Sequence, residues 1–356
     1  MSHKTCLGPV GPGEKVNVFV TVPMPDECVK LMTDVDPRVN VIFDKDLIPD
    51  QRYPADRRGQ AMEWTPARDR KWNEYLKEAD ILFGFDYRHM DNLRDFAPKL
   101  KWVQGTSTGI GPSVVKAGWP EKGIVATTAS GIHSVPISEF VIMSMLCFEK
   151  DIFHLFDLKS QKKHERYCTG QLRGKTLGIV GLGKNGRLVA TLAAAHGMRV
   201  LATKRTTQGY VPQNLGVDQL YAPADIKKML PQCDYVSMTV PTTPDTYKMM
   251  DYEMFKTMKP GAVFINNSMG TTVVQDDLIR AIKEGHLRGA AIDVYEKEPV
   301  PADSPLWSMP NVLMSPHSAS CCMYEDANIA NLFIDNLRRY LDGRPLRNAV
   351  RPELQY

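Results

Sequence analysis

The sequence predicts an α/β protein of two domains, each built around a doubly wound parallel sheet. The chain has 356 residues, of which 43% are apolar and 24% charged, and this length and composition allow two separate cores. Short apolar segments alternate with helical segments along the chain, as in parallel sheets. In the second half, the alternation surrounds the segment TLGIVGLGKNGRL, which is typical of a dinucleotide-binding strand, turn and helix.

Elements of the first half follow from apolar runs and turn residues. A helix is predicted over residues 24–35, and strands are predicted at 15–22, 40–43, 80–84, 101–104 and 124–127. Residues 45–75 are rich in Asp, Arg, Pro and Gln, which predicts an irregular segment with a short helix at 72–77. A long helix is expected to begin near Val135 and to become polar near Lys159, a position that suits a domain boundary.

The second half predicts a regular alternation of strands and helices. A helix is expected from Asn185 and another over 276–284, and strands are expected at 176–180, 198–203, 235–239, 262–266 and 289–293. The last helix, 324–341, places four apolar side chains on one face and ends before Gly343. Those four residues are Ile329, Phe333, Leu337 and Leu341.

Charge and cysteine content exclude several classes of protein. A net charge of +3 is too small and too evenly spread to indicate nucleic-acid binding. The longest apolar run, 140–148, is about half of the roughly 18 residues that a membrane span needs. Seven cysteines include no CxxC pair and follow no secretory leader, so we expect reduced thiols in the cytoplasm and no metal site.

The glycine-rich turn predicts a cofactor site. Gly181 permits a tight turn, Gly183 lets the backbone approach a pyrophosphate, and Gly186 lets the helix pack closely on the strand. Lys184 and Asn185 open the helix, whose N-terminus attracts phosphate. A glycine-rich turn without a ligand is the alternative.

The identity of the nucleotide is predicted from the end of the next strand. About twenty residues beyond the turn, where an acidic residue would bind the ribose of NAD, the chain has Lys204 and Arg205. Paired cations attract a ribose 2′-phosphate, so NADP is favoured over NAD. Two solvated cations at a strand end are the alternative.

Five motifs occur in a fixed order, namely LGIVGLGKNG, VPTTPDT, MKPGAVFINNS, LRGAAIDVYEKEP and PLWSMPNVLMSPH. On these motifs the chain resembles the D-isomer-specific 2-hydroxyacid dehydrogenases from about residue 14 to 345. The resemblance implies a Rossmann cofactor domain, 135–319, inserted in a flavodoxin-like substrate domain made of 1–134 and 320–356. It also implies a small-molecule substrate and a homodimer.

The resemblance assigns an acid/base pair, His317 and Glu298. In the family, a histidine exchanges a proton with the substrate oxygen while hydride moves between nicotinamide and carbon, and a glutamate supports the protonated ring. An imidazole suits this task because it titrates near neutral pH. A histidine at a strand end that is satisfied by the backbone is the alternative.

Further positions are implied by the same motifs. Asp293 is expected near the nicotinamide carboxamide, although it could equally cap the turn that leads to Tyr295. Pro241 and Thr243 are expected to flank the cofactor, and an ordinary turn is the alternative for Thr243. The loop GTSTGIG, through Ser107, Thr108 and Gly109, is expected to bind the acid group of the substrate with its backbone N–H groups, and a plain glycine-rich turn is the alternative.

One position departs from the family pattern. Met269 stands where the family has an arginine that grips the substrate carboxylate. Arg88 could substitute for it, although an exposed loop arginine is the alternative for that residue. Otherwise the substrate could lack the usual carboxylate, or hydride transfer could have been lost. We therefore predict an NAD(P)-dependent oxidoreductase of a 2-hydroxy or 2-keto acid or related carbonyl compound. The alternatives are a nucleotide-sensing interaction protein and a redox-neutral enzyme.

Overall fold

The computed structural model describes residues 7–353. The chain divides into two compact units: the first takes in the chain up to Ile132 and again from Cys321, and the second is His133–Ser320. The strands are β1 (Val16–Val20), β2 (Val39–Ile42), β3 (Ile81–Phe83), β4 (Trp102–Gln104), β5 (Val125–Thr127), β6 (Thr176–Val180), β7 (Arg199–Thr203), β8 (Gln219–Tyr221), β9 (Tyr235–Met238), β10 (Val263–Asn266), β11 (Gly289–Ile292) and β12 (Val312–Met314).

The α-helices lie between the strands or after the last strand, with several short 3-10 turns among them. They are α1 (Asp26–Thr33), α2 (Pro66–Glu78), α3 (Leu93–Phe96), α4 (Gly111–Lys116), α5 (Ser134–Glu149), α6 (Ile152–Ser160), α7 (Lys184–Ala195), α8 (Ile226–Met229), α9 (Tyr252–Thr257), α10 (Gln275–Lys283) and α11 (Glu325–Leu341). Within residues 7–353, no helix combines the length and the apolar character that crossing a bilayer requires.

The first unit contains a five-stranded sheet in the order β2-β1-β3-β4-β5, with every neighbouring pair parallel. This is the strand order of flavodoxin-like doubly wound folds. Helix α11 packs on the sheet through its predicted apolar face, where Phe333 stacks on Trp102 at 5.1 Å between ring centroids. The face from Ile329 to Leu341 is buried, as predicted.

The second unit contains a seven-stranded parallel sheet in the order β12-β11-β10-β9-β6-β7-β8. Counted from β6, the order 3-2-1-4-5-6 is that of a Rossmann fold, and β12 extends it by one strand. The predicted fold class of two parallel-sheet domains is therefore confirmed. The three-residue edge strands β8 and β12 were not predicted, because such short segments carry little periodicity.

Two predictions about helices in the sequence were wrong. Helix α2 begins six residues before the predicted short helix, where Thr65 caps it by accepting a hydrogen bond from the Arg68 N–H and Pro66 occupies its first turn. Its charged first half obscured the helical pattern. The long helix predicted from residue 135 is two helices, since Asp151 adopts a left-handed conformation with φ of 50° between α5 and α6.

Candidate functional site

The glycine-rich turn between β6 and α7 has the geometry that dinucleotide binding requires. Gly181 has φ of 101°, and a Cβ there would lie 2.5 Å from Val240 Cγ1. At Gly186 a Cβ would lie 2.5 Å from the Gly181 carbonyl oxygen, so this glycine lets α7 pack on the turn. A Cβ at Gly183 would meet nothing within 4 Å, which leaves the backbone open on the side where a pyrophosphate would bind. The residues present therefore fit a dinucleotide.

The end of β7 is joined directly to this turn. Gly181 N donates to Thr203 Oγ1 at 3.0 Å, and Leu182 N donates to the Thr203 carbonyl at 2.8 Å. Lys204 and Arg205 follow at once, so both cations adjoin the glycine turn. The Lys204 ammonium lies 4.8 Å from the centroid of the Tyr210 ring.

Other predicted cofactor residues shape the loops around the turn. Asn185 Oδ1 accepts a hydrogen bond from Ser134 Oγ at 2.7 Å, which ties the start of α7 to the start of α5. In the loop after β9, Thr243 N donates to Thr246 Oγ1 at 2.7 Å, and that hydroxyl donates to the Pro241 carbonyl at 2.7 Å. These contacts make the segment a closed turn. Contact of Thr243 or Pro241 with a cofactor stays a prediction.

Three loops at one edge of the sheet carry the predicted chemical residues. They are the β10 loop (residues 267–274), the β11 loop (293–304) and the β12 loop (315–320), and they follow neighbouring parallel strands. Carboxyl ends of parallel strands meet at the same edge. His317 Nδ1 lies 2.7 Å from Glu298 Oε2, so the fold brings the two predicted partners together.

The Glu298 carboxylate determines how the imidazole is presented. Its second oxygen, Oε1, accepts a hydrogen bond from Tyr295 N at 3.0 Å. An ionised carboxylate can only accept, so Nδ1 of His317 donates to it. Nε2 is then the ring nitrogen that does not face the carboxylate, and no hydrogen bond to it occurs among the described residues. The His317 side chain is 56% exposed.

Asp293 holds the turn that carries the histidine. Its Oδ1 accepts hydrogen bonds from Ser318 N at 2.8 Å and Ala319 N at 3.0 Å, and its carbonyl accepts from His317 N at 2.9 Å. His317 adopts a left-handed conformation with φ of 57° in this turn. The carboxylate thus caps the β12 loop, and a cap at the turn leading to Tyr295 stays the alternative prediction. Contact of Asp293 with nicotinamide stays a prediction.

Tyr295 is a residue of the site that the sequence did not reveal. Its hydroxyl, deeply buried, lies 2.8 Å from the Ser315 carbonyl and 3.1 Å from the Ile292 carbonyl. Burial, with a smaller effect of the Asp293 charge, raises the pKa of Tyr295 to about 12. The hydroxyl therefore stays a donor at neutral pH and links β11 to the start of the β12 loop. A tyrosine at the end of a buried strand was the available signal.

Met269 lies in the β10 loop, half-buried, beside this arrangement. Its carbonyl accepts hydrogen bonds from Thr272 Oγ1 at 2.7 Å and Asn266 Nδ2 at 3.2 Å. A Cβ at Gly270 would lie 1.9 Å from the Tyr295 carbonyl oxygen, so the β10 loop packs tightly on the β11 loop. The residue at the family's arginine position therefore adjoins the loop of Glu298.

The remaining predicted site residues lie in the first unit. Arg88 follows β3, and its Nη2 pairs with Asp69 Oδ1 at 2.6 Å while its guanidinium stacks over the Trp64 ring at 4.2 Å. Arg88 as a substitute for the missing arginine stays a prediction. The predicted substrate loop, Ser107, Thr108 and Gly109, is exposed beyond the end of β4.

Metal chemistry has no visible ligand set. Among residues 7–353, no group of three or more His, Cys, Asp or Glu side chains could hold a metal ion. The site in the second unit thus consists of a glycine turn with two adjacent cations, and an imidazole–carboxylate pair at the edge of the same sheet.

Known proteins share both the sequence pattern and the fold. The model of the D-isomer specific 2-hydroxyacid dehydrogenase NAD-binding domain matches residues 142–319. A glyoxylate reductase of Korarchaeum cryptofilum is 32% identical over 288 residues, which cover 79% of this chain and 85% of that protein. Another, of Thermococcus litoralis, is 27% identical over 96% of this chain and 98% of that protein.

A solved structure is similar along almost the whole chain. It is a D-isomer specific 2-hydroxyacid dehydrogenase family protein of Aeromonas salmonicida, with a TM-score of 0.78 and 26% identity. The match covers 95% of this chain and 99% of that one.

Proposed function

Because the chain belongs to the D-isomer-specific 2-hydroxyacid dehydrogenase family, we propose that it is an NADP-dependent reductase of a small 2-keto acid or related carbonyl compound. The observation that carries this proposal is the 2.7 Å contact between His317 Nδ1 and Glu298 Oε2. It leaves the opposite ring nitrogen accessible, as an acid/base group requires. The similarity to glyoxylate reductases supports a small 2-keto acid as the substrate.

His317 acts as the proton donor in reduction. When bound, the nicotinamide supplies the hydride, and the substrate oxygen gains negative charge as its carbon accepts it. His317, protonated on both nitrogens, gives the Nε2 proton to that oxygen and keeps the Nδ1 proton, which it donates in a hydrogen bond to Glu298. The carboxylate stabilises the positive ring before the transfer and fixes its orientation throughout. In the direction of alcohol oxidation, Nε2 takes the proton back.

Lys204 and Arg205 support NADP as the preferred nucleotide. Both follow Thr203, which is hydrogen-bonded to the glycine turn, and their charges favour a 2′-phosphate. Replacing both with serine should weaken NADPH binding about tenfold to hundredfold, since a charged hydrogen bond contributes roughly 1.5–3 kcal/mol. NADH binding, measured by the same fluorescence titration, should not change. Equal losses for both nucleotides would contradict the preference.

A homodimer in the cytoplasm completes the proposal. An apolar groove on the second unit supports self-association, and its lining residues lie on or next to α5, α6 and α7. They are Glu139, Ile142, Met143, Leu146, Cys147, Lys150, Ile152, Leu192 and His196. Free thiols at the described cysteines support a reducing compartment.

Activity assays with matched variants test the function. The purified protein should consume NADPH with glyoxylate or a related keto acid, followed by loss of NADPH absorbance. His317→Gln should lower kcat at least about 100-fold and leave NADPH affinity unchanged, whereas His164→Gln, at an exposed histidine of the same unit, should have no effect. Unchanged turnover in His317→Gln would refute the assignment. NADPH binding without turnover of any carbonyl would favour a nucleotide sensor.

Isotope transfer separates reduction from redox-neutral chemistry. With deuterium at the transferring position of NADPH, the reduced product should carry one deuterium on the former carbonyl carbon. A product that forms without the label would show that the nucleotide does not donate hydride, and the redox-neutral alternative would then hold.

A further inference from the structure

The β11 loop determines the position of Glu298, and through it the orientation of His317. Glu298 bonds to Tyr295 N at 3.0 Å and to the imidazole at 2.7 Å, so a shift of the loop moves both contacts. On one side, the close packing of Gly270 on Tyr295 restrains the loop. Glu296 lies between Tyr295 and Glu298 in the sequence, and its side chain provides a second contact that restrains the loop.

Glu296 is held by an ion pair that crosses between loops. Its Oε1 lies 2.7 Å from Lys248 Nζ, and its Oε2 accepts a hydrogen bond from Gln275 N at 3.4 Å. The hydrogen bond from Lys248 lowers the pKa of Glu296, and the same contact raises the pKa of Lys248. Each shift favours the charged form of its group.

Lys248 is itself anchored on the β10 loop. Its N–H donates to the Thr271 carbonyl at 2.9 Å, and Met250 N donates to the Thr272 carbonyl at 3.1 Å. Val274 N returns a hydrogen bond to the Met250 carbonyl at 3.0 Å. The backbone of Lys248 is thus fixed to the loop of Met269, while its ammonium reaches the loop of Glu298.

We propose that Lys248 and Glu296 form a positioning pair, which holds the β11 loop in register so that Glu298 meets His317. The proposal rests on the proposed function, in which His317 is the acid/base group. Side-chain exposures of 39% for Lys248 and 35% for Glu296 imply that the pair adds little to global stability, because exposed ion pairs are screened by solvent. Its effect is instead on the geometry of the acid/base pair, and misplacement by about 1 Å costs up to roughly 100-fold in rate.

Variants of the pair, made in the full-length protein, test this proposal. Lys248→Met should lower kcat about tenfold and leave NADPH affinity and Tm unchanged. Lys248→Arg should keep most of the activity, because it preserves the charge that Glu296 needs. Lys228→Met is the matched control, since it breaks another 2.7 Å lysine–carboxylate pair of the second unit, with Asp225, and should leave kcat unchanged.

A second readout does not depend on turnover. Nitrogen-15 NMR of the histidine rings, with the His317 signals assigned from His317→Gln, reports whether Nδ1 carries its hydrogen-bonded proton. In Lys248→Met we expect faster exchange of that proton than in the wild type or in Lys228→Met. A change in the ring spectrum of a protein that reduces no carbonyl would support positioning and refute the proposed function. An unchanged spectrum with wild-type kcat would refute the positioning pair.

A loss of activity that does not depend on charge placement would also overturn the proposal. If Lys248→Arg loses as much kcat as Lys248→Met, the ion pair is not what holds the loop. If Tm falls in step with kcat, the lysine acts on folding. If KM rises while kcat holds, the residue acts on substrate binding and not through Glu298.

Discussion

Replacing Met269 with arginine tests what the thioether contributes to substrate choice. The backbone at this position is extended, with φ of −143° and ψ of 125°, and arginine adopts that conformation without strain. The hydrogen bonds that fix it all involve the Met269 carbonyl and not its side chain. The substitution should therefore keep the β10 loop in place and present a guanidinium beside the loop of Glu298.

The gain in rate follows from the energy of one preorganised donor. Such a donor contributes about 3 kcal/mol to the transition state. We subtract about 1 kcal/mol for the side-chain entropy lost when a long side chain is ordered at a half-buried position. The remaining roughly 2 kcal/mol corresponds to about a 30-fold rise in kcat/KM, because each 1.36 kcal/mol is about tenfold.

The assay compares two substrates of similar size. Met269→Arg should raise kcat/KM for glyoxylate about 30-fold, but not for a neutral aldehyde, which has no carboxylate for the fork to bind. Met269→Leu is the control for loss of the thioether, and it should leave the ratio of the two kcat/KM values unchanged. If Met269→Arg keeps the wild-type Tm but leaves that ratio unchanged, position 269 does not contact the acid group.

Three further predictions concern the frame of the site and the first unit. Tyr295→Phe removes the hydroxyl bridge between strand ends and should lower the free energy of unfolding by about 1 kcal/mol; unchanged urea melts would contradict this. Glu298→Gln keeps the side-chain shape without its charge, so kcat should fall about tenfold or more in the NADPH assay, whereas wild-type kcat would show that the charge is dispensable. Asp56 is buried, and hydrogen bonds from the Arg52 guanidinium hold its pKa well below the usual range. A carboxyl group whose pKa is lower in the folded than in the unfolded protein stabilises the fold at pH values above its ordinary pKa, and this stabilisation is lost as the pH falls. From about pH 5 to about pH 3, the free energy of unfolding should therefore drop more steeply in the wild type than in Asp56→Asn. Parallel urea-melt series would refute that reasoning.

Sequence patterns predicted the central strands of the two sheets, but not the short edge strands β8 and β12 or the break between α5 and α6. Central strands such as β6 are continuous apolar runs because both faces are covered by helices, and their bounds were predicted within a residue or two. The break at Asp151 escaped prediction because nothing in the apolar periodicity of α5 and α6 marks a single left-handed residue. Edge strands of three residues escaped because tertiary pairing, and not local pattern, fixes them.

In the candidate site, too, some residues could be predicted from the sequence and others could not. His317 and Glu298 lie nineteen positions apart, and only the motif resemblance joined them before the fold did. The roles of Tyr295 and Lys248 depend on which carbonyl or carboxylate a neighbouring loop presents, and a single sequence does not encode that information locally. The glycine turn was predictable because its function is carried by backbone geometry that few residues allow.

The left-handed backbone conformation of His317 lowers the stability of the fold at the residue that we propose as the acid/base group. A non-glycine residue at φ of 57° costs about 1 kcal/mol relative to glycine. The hydrogen bonds that Asp293 accepts from Ser318 N and Ala319 N hold the turn in this conformation. His317→Gly should therefore melt above His317→Ala, because glycine adopts this backbone conformation without that cost, and in the proposed function neither variant could supply the proton.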